Sequence, residues 1–275
     1  MRTAFRIRPR RDLVNTHQPK PLHPGADGVH SPRWPHLRVV AKQRGKIDTG
    51  DVPSAPVARD GLEWTHAMKI SDRDVLLVID VQNDFCTGGA LAVRGGEKVV
   101  PAINRIAQKF ANVVLTQDWH PRDHVSFAPN HAGKQPFETI VLDYGAQVLW
   151  PSHCVQGTAG AEFHRDLDTT RASLVVRKGF RRGIDSYSAL FENDKKTPTG
   201  LLGYLREREL NTVFVAGLAF DYCVRFSAED ARKAGFEVAV IEDACRSIDL
   251  DGSVAATHQS FRKRGISLVS FEAFL

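Results

Sequence analysis

A doubly wound α/β fold, with a mostly parallel central sheet and helices on both faces, is what this sequence predicts, on three observations. Short runs of branched apolar residues recur without polar alternation, as strands buried on both faces require. Spans of helical period lie between them, so strand and helix alternate along most of the chain. Several apolar runs also end in a charged or reactive residue, at the carboxyl end of the strand, where sheets of this kind bind ligands.

The elements follow in order from Met68. The first strand, 74–80, runs through the unbroken apolar stretch Val75–Ile79 into Asp80, with Gln82, Asn83 and Asp84 right behind it. A helical pattern at 96–111, "GEKVVPAINRIAQKFA", leads to a second strand, "VVLTQD", at 113–118. The interval 119–170 is long, irregular and rich in His, Pro and Gly, and long loops inside compact domains are usually functional. Strands are then expected at 174–179, 212–217, 237–243 and 266–270, separated by helices at 200–209, 221–235 and 252–265.

At 275 residues, 42% hydrophobic and 25% charged, the chain has the composition of a soluble globular protein able to bury a substantial core. No stretch approaches the roughly 18 apolar residues of a membrane span, and the first residues lack the apolar core of a secretory signal. Cys86, Cys154, Cys223 and Cys245 are far apart and form no CxxC pair, which fits reduced thiols and a cytoplasmic location. The net charge of +5 is unevenly placed. Residues 1–67 hold 12 Lys and Arg against 6 Asp and Glu, and 8 of the 14 prolines. Such a segment is expected to be a disordered basic extension. Met1 and Met68 are the only methionines, and Met68 stands six residues before the first strand, so a translation start assigned too far upstream is the favoured reading. A basic arm that binds nucleic acid is the rival, but it has few aromatics and no folded basic face, and no nucleic-acid partner is expected.

Three constellations carry chemistry. In "DWHPRDH", 118–124, Asp118 and His120 stand two apart and leave an extended backbone on one face. A carboxylate with an imidazole suits a first-row metal ion, and His124, His131 and His153 are further donors; a histidine-rich surface loop is the plain alternative. In "VAGLAFDYCVRFSAEDA", 215–231, Cys223 falls at the start of a helix, where unpaired N–H groups lower a thiol pKa and cradle an oxyanion. A buried structural cysteine is the alternative there, as for the other three. Lys178 ends another apolar strand, where it could hold a thiolate or merely edge the sheet. Asp80 could equally be a base or a cap for its turn. Asp80, Asp118, Lys178 and Cys223 each lie at or just beyond the carboxyl end of a separate strand, and that joint arrangement favours chemistry.

Five blocks, "VIDVQNDFCTGGAL", "TQDWHPRDHVSF", "WPSHCVQGTAGAEFH", "RKGF…DSYSALFEND" and "GLAFDYCVRFSAEDA", stand in the order in which they occur in one family. Over 73–275 the sequence resembles the nicotinamidase/pyrazinamidase branch of the isochorismatase-like cysteine hydrolases. The resemblance implies the isochorismatase-like fold, a catalytic triad of Asp80, Lys178 and Cys223, and an oxyanion hole formed by the backbone N–H groups of Ala219 and Cys223. It implies a divalent metal ion, zinc before iron or manganese, on Asp118, His120 and His153, with the place of His124 among the ligands open. It implies a cis peptide at Leu218–Ala219, a nicotinamide pocket walled by Phe85 and Trp150 with Tyr187 nearby, and Gln82 and Asn83 as hydrogen bonders that orient Asp80 or complete its turn. The expected activity is hydrolysis of nicotinamide to nicotinate and ammonia through a cysteine thioester, in NAD salvage, with pyrazinamide as a further substrate and room for a homo-oligomer. Isochorismatases lack the cysteine and N-carbamoyl amidases lack the DxH…H set, so Cys223 and "DWH" with His153 count against those relatives.

Overall fold

The computed structural model describes residues 68–275; the expected basic extension and the upstream start fall on residues outside this range. The described residues form β1 (Asp74–Ile79), α1 (Val100–Ala107), β2 (Asn112–Asp118), β3 (Thr139–Leu142), β4 (Gly145–Val148), β5 (Leu174–Lys178), α2 (Leu201–Glu207), β6 (Thr212–Leu218), α3 (Arg225–Lys233), β7 (Glu237–Arg246), α4 (Ser253–Arg264) and β8 (Ser267–Val269). Six strands make one sheet in the order β5-β2-β1-β6-β7-β8, every neighbouring pair parallel.

The unbroken apolar runs have the cause the sequence suggested. All six residues of β1 are buried, and they serve two cores by turns. Leu76 and Val78 pack with Ile103 and Ile106 of α1 on one face. Val75, Leu77 and Ile79 pack with Leu201 of α2, Ala228 of α3 and Phe261 of α4 on the other. Each such side chain contributes roughly 1.5–3 kcal/mol by leaving water. No helix among the described residues is long and apolar enough to cross a membrane.

The differences from expectation are local. The 96–111 helix begins as a 3-10 turn at Gly96–Val99 and is α-helical only from Val100, with Pro101 in the first turn where its missing N–H costs nothing. The 221–235 helix opens with a π turn at Phe220–Val224, so Cys223 precedes α3. The irregular interval 119–170 contains an antiparallel hairpin, β3–β4, closed between Leu142 and Gly145. Its strands are only four residues each and partly exposed, and its turn has no Asn-Gly or Asp-Gly pair, so neither hairpin signal is present.

Successive crossovers place β2 and β5 on one side of β1, and then β6, β7 and β8 on the other. The connection order reverses between β1 and β6, which opens a crevice at their carboxyl ends.

Candidate active site

Four adjacent strands, β5, β2, β1 and β6, lead in that spatial order to Lys178, Asp118, Asp80 and Cys223. Parallel pairing sets Lys178 directly beside Asp118. Pairing of Ile79 with Gly217 brings the turn after β6 beside Asp80. Gly217 has a φ of 120°, and a Cβ there would run into the Ile79 carbonyl, so only glycine lets β6 approach β1 this closely. The next peptide, Leu218–Ala219, is cis, as the resemblance implied. Asp80 itself has a φ of 48°, which turns its side chain out of the strand alternation.

Lys178 is wholly buried, and its ammonium joins the groups around it. Nζ lies 2.8 Å from Asp80 Oδ2, 2.5 Å from Asp118 Oδ1, 2.9 Å from the Ser186 carbonyl and 3.4 Å from Cys223 Sγ. Burial works against its charge, but the carboxylates of Asp118 and Asp80 outweigh it and hold the proton on far above the usual lysine range. Burial raises Asp80 to about 6 despite the pull of Lys178. Cys223 reverses one expectation. Burial, aided by the two carboxylates, lifts its thiol well above the ordinary value and overcomes the downward pull of Lys178. A thiol left protonated in this way needs a base beside it. Oxygens of Asp80 and Asp118 and the Cys223 sulfur lie within 4.8 Å of one another.

The metal-type donors gather next to this cluster. Asp118, His120 and His153 are buried, with one ligand atom from each within 4.8 Å of the others. His120 Nδ1 lies 2.8 Å from the Gly179 carbonyl and His153 Nδ1 2.8 Å from the Pro151 carbonyl. A carbonyl only accepts, so both Nδ1 atoms carry the proton and both Nε2 atoms offer lone pairs. These face Asp118 Oδ2 at 3.5 and 3.9 Å. Three electron-pair donors turned toward one another fit a divalent cation. Burial opposes the charge on Asp118, yet the Lys178 ammonium beside it holds its carboxyl well below the usual carboxylate range.

His124 is arranged differently. Its Nε2 donates to the Ile184 carbonyl at 3.1 Å and its Nδ1 meets Ser126 Oγ at 2.7 Å, so both ring nitrogens are engaged while the ring packs 4.3 Å from that of His120. Gln82 orients Asp118 rather than Asp80: its amide donates to the Asp118 and Ala161 carbonyls and accepts from the Asp118 N–H, each at 2.8 Å. Asn83 ties its turn to the Ala159 carbonyl at 2.8 Å. Cys86, Cys154 and Cys245 are buried, and burial raises all three thiols.

The three metal-type donors and, of the thiol cluster, Cys223 open on one cavity, while Asp80 and Lys178 are wholly buried behind it. Phe85, Trp150, Tyr187, Tyr222 and Leu91 line it together with Asp118, His120, His153, Ala219 and Cys223. The isochorismatase domain model matches residues 74–273. The chain belongs to the isochorismatase family.

Within that family, the nicotinamidase of Acinetobacter baylyi is 53% identical over 203 residues, which cover 74% of this chain and 95% of that protein. A nicotinamidase/pyrazinamidase of Acinetobacter baumanii has a closely similar structure, with a TM-score of 0.74 and 55% identity over 74% of this chain and 99% of its own. A pyrazinamidase of Pyrococcus horikoshii, solved in complex with zinc, matches at a TM-score of 0.59 and 35% identity, over 72% of this chain and 99% of its own.

This isochorismatase-family site also uses residues that sequence reasoning passed over. Thr116 Oγ1 donates to Asp80 Oδ1 at 2.6 Å and accepts from the Asp80 N–H at 3.2 Å. The signal for it was present, since Thr116 lies two residues before Asp118 on the same face of β2. Gly179, at a φ of 65°, packs so closely on His120 that a Cβ would strike the imidazole. Asp185 is a buried carboxylate on the cavity wall, held by Gln147 Nε2 at 2.8 Å and the Ser186 N–H at 2.8 Å.

Proposed function

We propose that Asp80, Lys178 and Cys223 act as a catalytic triad by which this chain, a metal-dependent amidase, hydrolyses nicotinamide to nicotinate and ammonia. The observation that carries the reading is the cluster of a neutral thiol, a raised carboxylate and a buried ammonium, whose thiol opens on the same cavity as the Asp118, His120 and His153 donors. The nicotinamidases to which the chain is similar support the substrate.

The sequence of steps follows from the protonation states. Asp80, ionised above about pH 6, accepts the Cys223 proton, and Lys178 stabilises the thiolate at 3.4 Å. The sulfur attacks the carboxamide carbon. The N–H groups of Ala219 and Cys223 receive the oxyanion, each worth about 3–4 kcal/mol in sites of this kind. Protonated Asp80 returns its proton to the departing nitrogen, which leaves as ammonia and a thioester remains. Asp80 then removes a proton from water, the resulting hydroxide attacks the thioester, and nicotinate departs as Cys223 is reprotonated. The ring lies between Phe85 and Trp150, with pyrazinamide accepted in the same place.

Asp118, His120 and His153 are the residues that would hold the divalent ion. When bound there, it supplies a Lewis-acidic anchor for the pyridine nitrogen. Zinc is the favoured ion, supported by the zinc-containing Pyrococcus horikoshii relative. The cavity holds a small molecule rather than a polymer, and the four unpaired cysteines support work in a reducing cytoplasm.

The test is ammonia release from nicotinamide by the full chain beside Cys223→Ala, before and after chelation. Turnover that disappears in the variant and on metal removal is the expected result. A chain loaded in turn with zinc, iron and manganese that released no ammonia would end the nicotinamide reading.

A further inference from the structure

Asp84 lies in the turn that carries Phe85 to the cavity, and neither the triad nor the metal-type donors use it. Its carboxylate is fixed at both oxygens. Oδ1 accepts from the Ala90 N–H at 3.1 Å, and Oδ2 accepts from the Cys154 N–H at 2.7 Å. Cys154, the residue after His153, is wholly buried and has a φ of 45°. That left-handed conformation is costly for a residue with a Cβ and persists where surrounding contacts impose it. Here they act on both sides of its backbone. The N–H donates to Asp84, and the carbonyl accepts from the His120 N–H at 3.0 Å. Cys154 therefore links the two imidazoles, following His153 in the chain and bonding the backbone of His120. Gly160 closes on the same carboxylate. Its backbone is not left-handed, yet a Cβ there would fall on the Asp84 carboxylate, so only glycine leaves the acid its place.

We propose that Asp84 is a positioning residue for the divalent-ion site: by holding the Cys154 backbone it sets the spacing of His120 and His153, and with it the affinity for the ion. This rests on the reading of Asp118, His120 and His153 as the ion's donors. The bonds from each ring to a backbone carbonyl fix how the imidazoles are turned. They do not fix how far apart the two rings stand. That separation belongs to the backbone, and it is held where the His120 N–H meets the Cys154 carbonyl. A carboxylate is suited to the task, because a charged acceptor binds an N–H more strongly than a neutral one. Asp84 acts through Cys154 and touches neither the ion's donors nor the reacting atoms.

The test is the zinc affinity of the full chain, by competition with a chromophoric chelator, beside the rate at which iodoacetamide alkylates Cys223. Asp84→Asn keeps the shape but turns an NH2 group toward one of the two N–H groups. Zinc should then bind about 10–100-fold more weakly, the range for a ligand whose support is disturbed. Gly160→Ala keeps the charge but displaces the carboxylate, and should weaken zinc as well; it carries the test if Asp84→Asn does not fold. Asn83→Ala removes a different bond between the same two segments, from Nδ2 to the Ala159 carbonyl at 2.8 Å. It should leave zinc affinity within about twofold. Cys223 should be alkylated at the wild-type rate in all three variants. Wild-type zinc affinity in both Asp84→Asn and Gly160→Ala overturns the proposal. An equal loss in Asn83→Ala, or altered alkylation beside the loss of zinc, also overturns it and reduces Asp84 to general support of the fold. A wild-type chain that binds none of zinc, iron and manganese sinks the reading of the donors, and this inference with it.

Discussion

The two halves of the site are held by different means. Asp80, Lys178 and Cys223 grow from the ends of strands whose ladder fixes their spacing. His120 and His153 come from the irregular segment beyond β2, and each is aimed by a single hydrogen bond from its ring to a backbone carbonyl. Asp118 belongs to both, as a strand end that meets Lys178 on one side and the two histidines on the other. The half built on strands tolerates little backbone change, whereas the half built on loops depends on a few local contacts and can be lost separately.

The largest expected effect tests that separation. Asp80→Asn removes the base while keeping the shape, and should cost roughly 10³–10⁴ in kcat, with metal content unchanged by elemental analysis. Loss of the metal in this variant would show that the halves are not separable. Gly179→Ala attacks the other half, because its Cβ collides with the His120 ring. Metal affinity should fall about 10–100-fold, the range seen when the support of a ligand is disturbed, while alkylation of Cys223 keeps its wild-type rate. The smallest effect belongs to Thr116→Val. Asp80 must be ionised to act, so kcat/KM should fall as the pH drops through about 6. The Thr116 hydroxyl favours the charged form, and its removal should move that acidic limb to higher pH, with a loss of up to about tenfold near neutrality. A limb that stayed in place or moved down would assign Thr116 a purely structural part.

Legibility in the sequence follows the same division. β1 was visible because burial on both faces leaves an unbroken apolar run, and Asp80, which ends it, stands out. β5, an edge strand with alternating exposure, was visible from its short branched apolar run before Lys178. The hairpin was not visible, since strands of four half-exposed residues leave no period to detect. Gln147 and Asp185 were missed for a related reason: a buried polar residue in an irregular segment looks like any surface residue until its partners are known. The upward shift of the Cys223 thiol could not be read from the sequence, because its place before a helix is written there, whereas the depth of its burial is a property of the assembled fold.

The β3–β4 hairpin pairs only with itself in the sheet topology, yet it delivers Gln147 and leads directly into Trp150. Its length and composition can therefore change without a register slip in the strands that lead to Asp80 and Cys223. On the proposed function, the fold separates inheritance of the reaction from inheritance of the cavity wall: a descendant of this chain could reshape the wall by rewriting the hairpin and its flanks, and leave the strand ends around Cys223 where they were.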